Sequence, residues 1–173
     1  VPKETLGRGF QAATEIRDLN KRAVIFEKLL KRGVSGEPVD SQLISAARYG
    51  ESGHEVLRVL LAAGADPNYN GGEAVAAAAR TAFMGNLEIL LGLWDDQGRQ
   101  KRPSHPTLIR ALKSCWSLSR DSRFKVVSDL FRASMPATDD VHIALNDVVN
   151  EEDPETRLVK LLLDNGASPI SND

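Results

Sequence analysis

The segment His54-Glu55-Val56-Leu57-Arg58-Val59-Leu60-Leu61-Ala62-Ala63-Gly64-Ala65-Asp66-Pro67-Asn68 decides the fold. Val56, Leu57, Val59, Leu60 and Leu61 cover a broad apolar face and leave Arg58 outside it. That width suits a helix buried between neighbours. Gly64 supplies the positive φ that ends a helix, and Pro67 follows three residues later. The same ending occurs at Leu29-Leu30-Lys31-Arg32-Gly33 and at Leu162-Leu163-Asp164-Asn165-Gly166. Gly33 and Gly64 are 31 residues apart, and Gly64 and Gly166 are 102 apart, or three units of 34. Periods of this size mark repeat architectures.

The match at 102 extends well beyond the glycine. Residues 55–61 lie over 157–163, and Gly64-Ala65-Asp66-Pro67 lies over Gly166-Ala167-Ser168-Pro169. A related shift sets Thr5-Leu6-x-Arg8 over Thr107-Leu108-x-Arg110, and brings Arg22 near Arg123. Gly85-Asn86-Leu87-Glu88-Ile89-Leu90-Leu91 marks a unit in between. The reading is five units, at about 1–36, 37–70, 71–102, 103–136 and 137–173, with a higher-order period of three. Each unit reads as two helices. The first helices are shorter and richer in Ala, over Ser41–Arg48 and Glu73–Ala82. Stop signals fall at Gly36-Glu37-Pro38, 67–72, Pro103, Pro136 and Pro169. The expected class is all-α: an α-solenoid of stacked helix–turn–helix repeats with about ten helices and no sheet beyond short turn hairpins. Such arrays bury a continuous core only by stacking.

Composition agrees. The 173 residues are 42% hydrophobic, 27% charged and only 5% aromatic, so a soluble helical domain is favoured over disorder or a large β fold. A net charge of −2 gives no global basic field for nucleic acid or anionic lipid. One cysteine, Cys115, excludes an internal disulfide framework and favours an intracellular compartment, cytoplasmic or nuclear. No apolar run nears 18 residues, so no membrane span is expected. The missing initiator Met and an uncapped last unit suggest a fragment of a longer array, monomeric in isolation.

Residues 54–68 resemble the second helix and the Gly-Ala-Asp-x-Asn turn of an ankyrin repeat. Residues 85–91 resemble the start of that helix, and 161–169 its end. Leu43, Ala46, Ala47 and Gly50 match the family's first helix. The degenerate, elongated units resemble the ankyrin arrays of large filamentous-fungal proteins. The family's Thr-Pro-Leu-His tetrapeptide is missing from every unit, Glu51-Ser52-Gly53 is inserted in the second, and the fourth is longer throughout.

Convergent chemistry is hard to find. His54, His105, His142 and Cys115 form no pair at metal-ligand spacing. Cys115 reads as a buried helical residue rather than a nucleophile. Gly7-Arg8-Gly9 is too short for a phosphate cradle, and Gly71-Gly72 reads as a tight turn rather than an anion site. Asp139-Asp140 is expected to cap a helix, and Asp95-Asp96 and Glu151-Glu152-Asp153 to solvate turns. Arg99, Lys101 and Arg102, with Trp94 and Trp116 nearby in sequence, read as a solvated loop rather than a phosphate contact.

Function is therefore expected on the surface, with no catalytic residue, no metal and no cofactor. The resemblance implies protein binding by first-helix and turn-tip positions on a concave face. Here these are Arg48 and Tyr49, Arg80 and Thr81 (with Phe83 and Met84 as rivals), the turn Asn68-Tyr69-Asn70, and Lys113 and Trp116. Tyr and Arg are common hot-spot residues. The expectation is a non-catalytic protein-interaction scaffold. The alternative is a structural spacer or intramolecular docking segment of a larger multidomain protein.

Overall fold

In a computed structural model, residues 2–94 and 101–169 are described. They form ten α-helices and no strand. The helices are α1 (Lys3–Thr14), α2 (Leu19–Leu30), α3 (Glu37–Ala47), α4 (His54–Ala62), α5 (Tyr69–Thr81), α6 (Met84–Leu91), α7 (His105–Ser114), α8 (Arg120–Arg132), α9 (Asp139–Val149) and α10 (Thr156–Asp164).

The even-numbered helices all end in one way. Gly33, Gly64, Gly92 and Gly166 take φ of 98°, 89°, 77° and 88° just past α2, α4, α6 and α10. In each case the next N–H bonds back to a carbonyl in the last turn: Val34 to Leu29, Ala65 to Leu60, Leu93 to Glu88 and Ala167 to Leu162. After α8 the position is held by Ser134, at φ 67°, with the Met135 N–H on the Leu130 carbonyl at 3.1 Å. A non-glycine therefore makes the same left-handed turn there, at some cost in local strain. Glycine spacing alone passes over that unit.

Each odd-numbered helix packs on the even-numbered one that follows it. The even helices also meet in succession, α2 on α4, α4 on α6, α6 on α8 and α8 on α10, as do α1 on α3, α3 on α5 and α5 on α7. Among the described residues, helices in substantial contact are never more than two apart in chain order. The shared core holds Phe10 stacked on Phe26 at 4.4 Å, then Leu57 and Leu60, Leu87 and Leu90, Leu130, and Leu158 and Leu162. Burial of each such side chain is worth about 1.5–3 kcal/mol. Ala74 to Ala79 are buried throughout, and these short side chains let α5 lie close to α7.

Several local expectations change. Pro38 does not stop the chain: it sits in the first turn of α3, where a missing N–H costs nothing, so the helix starts earlier than Ser41. Asp139 and Asp140 are not caps. Thr138 holds the N-cap position of α9, and the two carboxylates lie in the first turn, where the helix dipole favours them. Asn70, Gly71 and Gly72 are all left-handed, so regular helix in α5 begins at Glu73. The inserted Glu51-Ser52-Gly53 is part of a 3₁₀ turn, Gly50–Gly53, wedged against α3 and α6. A Cβ on Gly53 would lie 2.2 Å from the Ala46 carbonyl oxygen, so the backbones meet there directly.

Side chains tie one helix pair to the next. Asp40 accepts the Asp66 N–H at 2.7 Å. Asn86 is fully buried and donates to the Ala47 carbonyl at the end of α3, at 3.0 Å. His142 Nδ1 accepts the Ser168 N–H at 3.0 Å.

Candidate binding surface

The C-terminal ends of α3, α5 and the middle of α7 bring three arginines onto one carboxylate. Glu73 opens the regular part of α5, and its side chain is only 14% exposed. Arg48 Nη2 lies 3.6 Å and Arg80 Nη2 3.7 Å from the same oxygen, Glu73 Oε1. Arg110 from α7 donates to Oε2. Its other nitrogen donates to the Asn70 and Gly71 carbonyls at 2.7 and 3.0 Å. Arg110 is thus anchored. Arg48 and Arg80 stand beyond hydrogen-bond distance of Glu73 and make no side-chain hydrogen bond among the described residues. Their side chains remain 61% and 50% exposed, so their N–H groups face solvent.

Two exposed aromatics lie close to this cluster along the chain. Tyr49 follows Arg48 and is exposed, with the buried Arg22 guanidinium 5.7 Å from its ring centre. Arg22 is held there by the Ile16 carbonyl, to which its Nε donates at 2.8 Å. Phe83 is also exposed, and its ring sits against Gly50, where an added Cβ would be 3.5 Å away. Thr81 is exposed too, but its hydroxyl donates to the Ala77 carbonyl of its own helix at 2.9 Å. Met84 is half-buried against the core.

The turn at 68–70 behaves differently from an outward tip. Asn68 is half-buried and its amide is fully engaged. Its Nδ2 donates to Asp66 Oδ1 and the Arg102 carbonyl at 3.0 and 2.9 Å. Its Oδ1 accepts the Ser104 N–H and the Thr107 hydroxyl at 2.6 and 2.8 Å. Asn68 therefore stitches the second unit to the fourth helix pair. Tyr69 is half-buried and donates to Glu37 at 3.1 Å, a bond to a carboxylate that raises its phenol pKa. Asn70 is exposed, but its carbonyl belongs to Arg110.

Further along, Lys113 forms an ion pair with Asp140 at 2.7 Å. Trp116 is half-buried beneath Arg123, whose guanidinium is 5.0 Å from the ring centre and grips Glu151 with both terminal nitrogens, at 2.7 and 2.9 Å. Arg22 and Arg123, matched by the repeat, are thus both buried cations lying over an aromatic ring.

The repeat pattern points to Arg48 and Arg80 but not to Glu73 or Arg110. A signal for Arg110 existed, since it lies over Arg8 in the repeat. Among the described residues Arg8 pairs with Glu4 of its own helix alone.

Cys115 is wholly buried at the end of α7, and its thiol donates to the Leu112 carbonyl at 3.1 Å. Burial pushes its pKa up to about 12, against the opposing pull of Arg123. Among the described residues no three His, Cys, Asp or Glu side chains converge as metal ligands, and no helix is long and apolar enough to cross a membrane. Lys101 reaches Asp66 at 3.4 Å. Asp95, Asp96 and Arg99 lie outside the described residues.

No known family model matches the sequence, and no curated protein and no solved structure is significantly similar to it.

Proposed function

We propose that the chain is a non-catalytic protein-interaction scaffold: an ankyrin-like α-solenoid that binds a protein partner on the face formed by the ends of its first helices. The repeated left-handed exits from the even helices, and the contacts confined to neighbouring pairs, support the solenoid reading. The His142 brace on the turn at Ser168 is consistent with it.

One observation carries the functional reading. Arg48 and Arg80 share one ion-pair partner, Glu73, yet keep largely exposed side chains with N–H donors to spare, and exposed Tyr49 and Phe83 lie within three residues of them in the chain, on helices joined by Glu73 and Arg110. Arginine and aromatic anchors on a preorganised scaffold are what a protein interface requires. Asn68 contributes by stiffening the face rather than by contacting a partner.

The test is site-specific photo-crosslinking in extract of the source cells. Crosslinkers at positions 49 and 83 are expected to give one discrete adduct that the Arg48→Glu change abolishes. A crosslinker at position 125, on exposed Lys125 of α8, should not give it. Equal adducts from all three positions, or none at 49 and 83, would end the proposal.

A further inference from the structure

We infer that the partner segment seated on this face is acidic, and that Arg48 and Arg80 together grip one carboxylate or phosphoryl group presented by it. The inference rests on the scaffold reading above and names the chemistry of the same surface.

Three guanidinium groups surround a single carboxylate, so the cluster carries a positive excess. Most of that excess stands on Arg48 and Arg80, because Arg110 is closed off by Glu73 and two carbonyls. Both guanidinium groups ion-pair with the same Glu73 oxygen, at 3.6 and 3.7 Å, which holds them within reach of one planar or tetrahedral anion. An arginine fork matches such oxygens with paired N–H donors, and charge-assisted bonds of this kind are the strong ones. Glu73 keeps the pair together before the ligand arrives, so little side-chain freedom is lost on binding. The carboxylate of Glu73 is itself nearly covered and does not present a competing negative surface.

The surroundings select a short peptide rather than a nucleic acid. Glu37, Asp40 and Asp66 lie at the neighbouring turns, and Asp140 faces Lys113 further along. A long polyanion laid across the face would meet these carboxylates, whereas one or two acidic side chains on the arginines would not. Exposed Tyr49 and Phe83 add an apolar margin for the flanking residues of a peptide.

The experiment is fluorescence anisotropy on the full chain, with fluorescein-labelled oligoglutamate, a matched phosphoserine peptide and an oligolysine control. Saturable binding of an anionic probe is expected, falling with added salt. The Arg48→Gln/Arg80→Gln double variant should weaken it about tenfold or more, in line with the loss of charge-assisted bonds. Lys125→Gln, which removes an exposed charge elsewhere, should leave it unchanged. Circular dichroism checks that the double variant is folded. The glutamate and phosphoserine arms decide which anion is preferred.

The idea is overturned if neither anionic probe binds, if oligolysine binds as well as they do, or if the folded double variant binds unchanged. Its failure is separable from failure of the scaffold reading. Crosslinks at positions 49 and 83 without anion binding would leave a neutral or basic partner on the same face. Loss of both would remove the surface altogether.

Discussion

Arg110 on α7 closes onto Glu73 on α5 and, with its other nitrogen, onto the carbonyls of Asn70 and Gly71. One side chain thus locks a left-handed turn, the start of a helix and the next helix pair. Glu73 is mostly covered, so its loss strands three cations near one another. Glu73→Gln is expected to destabilise the chain by about 1–2 kcal/mol, between the values for exposed and buried ion pairs. Urea denaturation measures this, and a double-mutant cycle with Arg110→Gln isolates the coupling. A coupling near zero would show that the two helix pairs are held by apolar packing alone.

The same junction makes unequal demands on two adjacent glycines. A Cβ on Gly72 would lie 2.4 Å from Thr107 Cγ2 and 2.7 Å from its hydroxyl, at a φ of 79°. A Cβ on Gly71 would meet one side-chain atom alone, Arg110 Nη1, at 3.0 Å and a φ of 65°. Both substitutions carry the left-handed penalty, about 1 kcal/mol. Gly72→Ala adds overpacking, about 1–3 kcal/mol more. Thermal or urea melts should therefore rank Gly72→Ala well below Gly71→Ala. Equal losses would mean that α7 shifts freely away from α5.

How much of this was legible follows from the range of each interaction. Helix ends are local events, and the Leu-Leu-x-x-Gly pattern reports them because only a left-handed residue lets the last carbonyls bond back. Where Ser134 does that work, and where Gly92 directly follows Leu91, the pattern fails. Arg48 and Arg80 were legible because their place after the small-residue helices follows from the repeat. Glu73 and Arg110 were not, since their meeting joins residues 37 apart in the sequence. Asn68 shows the same limit. Its bonds to Arg102, Ser104 and Thr107 exist only once α7 has docked, so a turn that reads as an outward tip becomes a half-buried joint.

That joint should weaken in acid. Burial pushes the Asp66 carboxyl up, but the Asn68 backbone N–H, the Asn68 amide and Lys101 together hold it below the usual aspartate value. A carboxyl depressed in the folded state stabilises the fold above its unfolded pKa, and that contribution disappears as pH falls through the folded value. Asp66→Asn is expected to cost about 1 kcal/mol near neutrality. The difference from the parent chain should shrink as pH drops through the acid range. Parallel urea titrations across pH check this; a gap that widens in acid would reverse the assignment.

Cys115 gives a direct readout of global opening. Its thiol is wholly buried and donates to Leu112, and burial raises its pKa to about 12, so at ordinary pH almost no reactive thiolate forms in the folded chain. Alkylation by iodoacetamide near pH 8 is expected to be far slower than for a free cysteine. Its rate should rise with urea in step with unfolding followed by circular dichroism. Glu73→Gln and Gly72→Ala should accelerate labelling in proportion to the stability each removes, since the reactive form is reached by opening the fold. Rapid labelling of the native chain, independent of urea, would instead show a thiol accessible without unfolding and would return Cys115 to consideration as a reactive group.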